Sequence, residues 1–165
     1  GGTLLIDEAY ALARGGENDF GLEAVDTIVK FMEDHRDDLS VIAAGYPAEM
    51  SELIDTNPGL KSRFTRTVEF PDYDTEELIA IFGLISGSKE YHLDAGGKVE
   101  LGTIIEAEPR GRGFGNARFV RNVFEAAIGH HALRLAHVEV PTDEQLTTLT
   151  ADDLQSPERG TAIRP

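Results

Sequence analysis

The chain has 165 residues, 41% of them hydrophobic and 27% charged, and 30 acids set against 15 Lys and Arg leave a formal charge of −15. That length and balance fit one globular domain or parts of two, and so acidic a surface repels nucleic acid and anionic lipid on average. Cysteine is absent, which excludes disulfides and thiolate–zinc sites and suits a cytoplasmic protein, and no apolar run is long enough to span a bilayer.

The chain opens Gly-Gly, with neither a Met nor a leader-like segment, and reads as a piece of something longer. TLLID (residues 3–7) predicts a buried strand that delivers Asp7 and Glu8 side by side at its end. After the loop ARGGENDFG comes a helix with Asn18 or Asp19 as N-cap. Its apolar face is Leu22, Val25, Ile28, Val29 and Met32, and Glu23, Asp26 and Lys30 face outward. LSVIAAG (39–45) is a second buried strand, and Pro47 opens a short helix to about Ile54. NPGLKSRF turns into a short helical piece, and TRTVEF is a third strand closed by Pro71. Strands alternating with helices indicate a parallel α/β sheet.

From Thr75 the pattern predicts helices alone, over 75–86, 97–107 and 117–135. Phe31, Phe82, Phe119 and Phe124 are core candidates, and the tail after Asp152 reads as polar and loose. His130 and His131 point to different helix faces and make no metal pair. The expected organisation is an α/β part over 1–72, a helical domain over 73–140 and a C-terminal helix or tail over 141–165.

In open parallel sheets, ligands bind beyond the carboxyl ends of the strands. A strand ending in Asp-Glu projects two acids into that crevice. There Asp7 suits a water-coordinated Mg²⁺ and Glu8 suits the handling of an attacking water. A strand that merely ends in a solvated pair is the plain alternative. Two islands free of acid interrupt the acidic chain. Residues 56–68 carry Lys61, Arg63 and Arg66, and residues 109–124 carry Arg110, Arg112, Arg118 and Arg121. They suit a small, highly charged anion, although exposed basic turns are common.

GTLLIDEAYAL, AAGYP, NPGLKSRF and GFGNARFVRN occur in an order that resembles the AAA+ ATPases. More narrowly, the chain resembles the CbbX/SpoVK branch, which includes Rubisco activases, sporulation proteins and type VII secretion ATPases. The resemblance covers residues 1 to about 135. It implies part of a P-loop NTPase parallel sheet with flanking helices, followed by a small α-helical lid. It also implies ATP with Mg²⁺ as cofactors, a hexameric ring of identical subunits and a protein client. On that resemblance Asp7 is the Mg²⁺ ligand through water and Glu8 the catalytic acid. Arg63 is the arginine finger acting on a neighbour's nucleotide, with Arg66 a second candidate, and Arg118 is the sensor 2 arginine.

If Asn116 caps the last long helix, Arg118 lies in its first turn, where a bound anion would offset the clash of a cation with the helix dipole. Gly111, Gly113 and Gly115 permit a close approach of the backbone, so Gly115, Asn116 and Arg118 are nucleotide-binding candidates. On the same resemblance the loop ARGGENDFG falls where family members place a second pore loop that can touch a threaded polypeptide, with a plain surface loop as the alternative. Two departures stand out. Tyr46 occupies the sensor 1 position, where many AAA+ proteins have Asn, and joins the binding candidates. No G-x-x-x-x-G-K-[ST] occurs anywhere in the chain. The resemblance places that loop upstream of Gly1, on a strand between the second and third seen here, so the residues present should not hydrolyse ATP alone. A nucleotide-sensing or scaffolding subunit without turnover is the competing reading.

Overall fold

The computed structural model describes residues 1–13, 20–111 and 113–155. It divides into two units, Gly1–Phe70 and the chain from Pro71 onward, each taken by itself here.

In the first unit β1 (Gly2–Ile6) and β2 (Leu39–Ala43) pair in parallel, Gly2 opposite Leu39 and Ile6 opposite Ala43. Parallel neighbours need a crossover, and α1 (Gly21–Asp34) lies between them in the chain. The helices α2 (Pro47–Thr56) and α3 (Pro58–Arg63) follow β2. Ala9, Tyr10, Val25, Leu53 and Leu60 form the core, with Ile6, Val29, Ala43, Met50 and Phe64 packed against it.

The strands expected to be buried are only partly covered, and none of their residues is fully buried. Side chains alternate along a strand, and Leu5 and Ile42, opposite each other in the register, stand 63% and 52% exposed. The expected third strand does not form. Residues 65–70 are irregular, with Val68 and Phe70 75% and 89% exposed. A strand exists only by pairing its backbone groups in a ladder, and no described strand pairs with these residues.

α1 begins after Phe20, which makes no side-chain cap, and the expected caps Asn18 and Asp19 lie outside the described residues. Only Val25 of its apolar stripe is fully buried. Leu22 and Phe31, expected inside, are 61% and 47% exposed. Two strands and two short helices give α1 too little to pack against.

The second unit contains α4 (Thr75–Gly87), β3 (His92–Leu93), α5 (Ala95–Ala107), α6 (Ala117–Leu135), α7 (Asp143–Thr147) and β4 (Thr148–Leu149). α4 starts on a capping box: Asp74 accepts from the Glu77 amide at 2.8 Å, and Glu77 accepts from the Asp74 amide at 3.0 Å. Asp94 caps α5 through the Gly97 amide at 2.6 Å. Leu78, Phe82, Leu101, Ile105, Val120, Val123 and Phe124 build one core. Within it the rings of Phe82 and Phe124 meet edge to face at 5.6 Å.

Strands do not end at Thr75, because β3 and β4 pair in parallel, His92 opposite Thr148. A Cβ on Gly97 would lie 2.8 Å from Leu93 and 3.2 Å from the Leu149 carbonyl, so glycine lets α5 start against this ladder. Leu149 and Leu154 are 0% and 4% exposed within the same core.

The segment after α6 is held by polar contacts. Arg134 donates from Nε and Nη2 to the two oxygens of Asp153, both at 2.7 Å, and Asp153 is 0% exposed. His130 and His131 donate to the carbonyls of Asp153 and Gln145 at 3.1 and 2.8 Å. No described helix is long and apolar enough to cross a membrane.

Candidate functional site

The end of the two-stranded ladder is where the first unit concentrates its candidates. The Ala44 amide donates to the Ile6 carbonyl at 2.8 Å and the Ala9 amide to the Ala44 carbonyl at 3.0 Å. Asp7 and Glu8 are thereby fixed at the edge from which Gly45 and Tyr46 leave β2. Glu8 has φ of 50°, the left-handed region that costs a side-chain-bearing residue about 1–2 kcal/mol. Its amide donates to Asp7 Oδ1 at 3.0 Å, which helps to hold that turn.

Both carboxylates are exposed, and neither makes an ion pair among the described residues. Two adjacent free carboxylates suit a hard, hydrated cation. Among the described residues no cluster of three or more potential ligands exists, so such a cation would complete its shell with water or with oxygens of a bound anion. Tyr46 is 46% exposed beside Tyr10, ring centres 6.3 Å apart, at the same end of the sheet.

Arg63 closes α3, where a cation complements the helix dipole. Asn57 fixes the other end of that helix, accepting from the Gly59 amide at 2.7 Å and donating to Asp26 at 2.9 Å. The Arg63 side chain is only 24% exposed and turns back onto its own unit. Its Nη2 donates to Glu33 at 2.8 Å, and its Nη1 donates to the Gly59 carbonyl at 3.2 Å and Ser62 Oγ at 3.3 Å. Lys61 pairs with Asp55 at 3.0 Å, and Arg66 is exposed on the irregular stretch. Nothing in the sequence pattern singled out Glu33, which lies 30 positions before Arg63.

In the second unit, Arg118 is exposed in the first turn of α6. Asn116 precedes that helix but does not cap it. The Gly115 carbonyl already accepts from the Arg118 and Phe119 amides at 2.8 and 3.3 Å, which leaves fewer free amides for an anion than an uncapped helix would offer. Asn116 instead donates to Asp72 Oδ1 at 2.6 Å and accepts from the Tyr73 amide at 2.9 Å, from a backbone at φ 46° and ψ −124°. Arg110 donates to the Tyr73 carbonyl and lies 4.4 Å from the centre of the Phe114 ring. Of this basic island Arg110, Arg118 and Arg121 are exposed, and Arg112 lies outside the described residues, as does most of the loop ARGGENDFG expected at the place of a second pore loop.

Residues 74–162 match the AAA lid domain family. The chain is 42% identical to stage V sporulation protein K of Bacillus subtilis, over 93% of its own length and 49% of the relative's. It is 41% identical to the plasmid protein CbxX of Cupriavidus necator, over 93% and 50%. It is also 40% identical to the ESX-3 secretion system protein EccA3 of Mycobacterium tuberculosis, over 93% and 27%. The chain therefore spans about half the length of two of these relatives and about a quarter of the third.

Proposed function

The chain belongs to the AAA+ ATPases, in the branch of SpoVK, CbxX and EccA3, and on that premise we propose that it is part of a cytoplasmic, ring-forming enzyme that uses ATP to remodel a protein client. The observation that carries this is the exposed Asp7–Glu8 step at the end of β1, without an ion pair among the described residues, with Glu8 in a left-handed turn at the same sheet edge as Tyr46. Strained backbone of this kind collects at working sites.

Mg²⁺-ATP supplies the phosphate bond to be cut and part of the countercharge. Asp7 would hold the Mg²⁺ through water, and Glu8 orients the attacking water and accepts its proton. Tyr46 can offer its hydroxyl to the same water. Arg63 supplies a planar cation to a neighbour's transferring phosphoryl group, and Arg118 reads the phosphate of its own subunit's nucleotide. The chain contains no G-x-x-x-x-G-K-[ST] and spans about half the length of two of its relatives, so the loop that grips the phosphates is not among these residues. Ring size and client are drawn from the family alone, and a hexamer acting on protein is the assignment that fits.

Glu8→Gln in the full-length protein tests this reading. It keeps the metal ligand and removes the acid, so ATP affinity should stay within about twofold while turnover falls by about 10²–10⁴-fold. Wild-type turnover in Glu8→Gln would remove Glu8 from the chemistry, whereas absence of turnover in the unsubstituted full-length protein would favour the scaffolding alternative.

A further inference from the structure

The Arg63 guanidinium is committed at one end and unsatisfied at the other. Its Nη2 bonds Glu33 at 2.8 Å, yet its Nε is buried with no hydrogen-bond partner among the described residues. A buried donor without an acceptor carries a desolvation cost, so the docked side chain is incompletely satisfied. It is held by Glu33 on Nη2 and by the Gly59 carbonyl and Ser62 Oγ on Nη1, Glu33 being the one charged partner among them. Glu33 lies in the last turn of α1, 56% exposed, with a second cation, Arg36, 3.8 Å from its other oxygen. Glu33 can thus release Arg63 and remain neutralised. A guanidinium whose Nη2 is spent on Glu33 cannot bridge phosphate oxygens with the same edge.

We propose that Glu33 is a positioning residue that parks Arg63 on its own subunit, to be displaced by the phosphate oxygens of the neighbouring subunit's nucleotide. The inference rests on the reading of Arg63 as a cation acting across the subunit interface. No covalent step is involved. One anion replaces another on Nη2, and Arg36, 3.8 Å from Glu33, offsets the charge left there. Turnover then begins only where a neighbour presents a nucleotide able to outcompete the carboxylate, and an unassembled subunit keeps its finger folded away.

The test compares full-length Glu33→Gln, Glu33→Asp and Arg63→Ala rings with wild type. Glu33→Gln should raise kcat for ATP two- to five-fold, as expected for losing a half-exposed ion pair, with little change in KM. Glu33→Asp keeps the charge and should stay near wild type, and a rise equal to that of Gln would mean lost packing and overturn the proposal. An unchanged or lowered kcat in Glu33→Gln, with Arg63→Ala inactive, would overturn the parking role and leave the finger standing. Wild-type turnover in Arg63→Ala would overturn both. Side-chain NMR of the nucleotide-free protein gives a readout apart from activity. The restricted Arg63 guanidinium signal should collapse in Glu33→Gln, and its persistence there would show that Glu33 is not the restraint.

Discussion

Asn116 illustrates how a single residue can be right in place and different in task. An Asn just before a helix reads as a cap, and the helix does begin at Ala117. Its side chain is nevertheless spent on Asp72 and Tyr73, 44 and 43 positions earlier, a pairing that local pattern cannot reveal. The backbone at φ 46° and ψ −124° is one that glycine adopts without strain and side-chain-bearing residues do not. Two substitutions therefore separate clasp from strain. Asn116→Ala loses both hydrogen bonds and keeps the strain, whereas Asn116→Gly loses the bonds and relieves it. Urea unfolding should find the Ala variant the less stable by about 1–3 kcal/mol. Equal stabilities would mean that the backbone relaxes once the side chain is gone.

At the scale of elements, α6 is fastened to the segment that follows it by one ion pair. Burial pushes the Asp153 carboxyl up, but hydrogen bonds from Arg134 and Thr150 together outweigh it, and the net result lies below the usual value of 3.8. The same hydrogen bond raises the Arg134 guanidinium further. A carboxylate depressed in the folded state stabilises fully above its unfolded pKa and loses that contribution as pH falls through the folded value. The second unit should accordingly hold this contribution at neutral pH and lose it below about pH 4. Arg134→Ala leaves Asp153 buried without its cation and should cost about 2–3 kcal/mol, the discount reflecting an Arg still 31% exposed. Calorimetry across pH checks both, and a variant whose loss of stability is the same at pH 3 and pH 7 would contradict the assignment.

The helices here were legible because their signals are local. Those expected over 75–86, 97–107 and 117–135 occur as Thr75–Gly87, Ala95–Ala107 and Ala117–Leu135. The two-residue strands and the Asp153 anchor were not, since a ladder that short leaves no period in the sequence and its partners are 56 positions apart.

For the whole molecule the contrast lies in what each unit can cover by itself. The second closes around its own leucines, isoleucines and phenylalanines. The first leaves Leu5 and Ile42 exposed and residues 65–70 without a ladder partner among the described residues. Open ladder edges beside bare apolar faces template self-association. Residues 1–165 alone are therefore expected to show no hydrolysis and negligible ATP affinity, and to self-associate. Limited proteolysis should leave a resistant piece from about residue 71 to 155, carrying the anchored segment after α6 along with the helices. A monomeric 165-residue chain that binds ATP tightly would overturn the argument that the phosphate grip lies elsewhere. Asp7 and Glu8 were readable because a strand ending in two acids is a local pattern, whereas the covering of that strand depends on residues distant in the chain.

The burial of Leu149 and Leu154 in the same core as Leu78 and Phe82 has a consequence for synthesis. The first helix of that unit is translated long before the residues that close it, so the unit cannot finish until residue 154 has emerged. At about 5–20 residues per second, the interval from residue 70 to residue 154 is about 4–17 s. Throughout that interval Leu78 and Phe82 lack the cover that Leu149 and Leu154 give them in the finished core. On a polysome, where many copies lie close together, that delay rather than the final fold sets the moment of greatest exposure to aggregation and to chaperones.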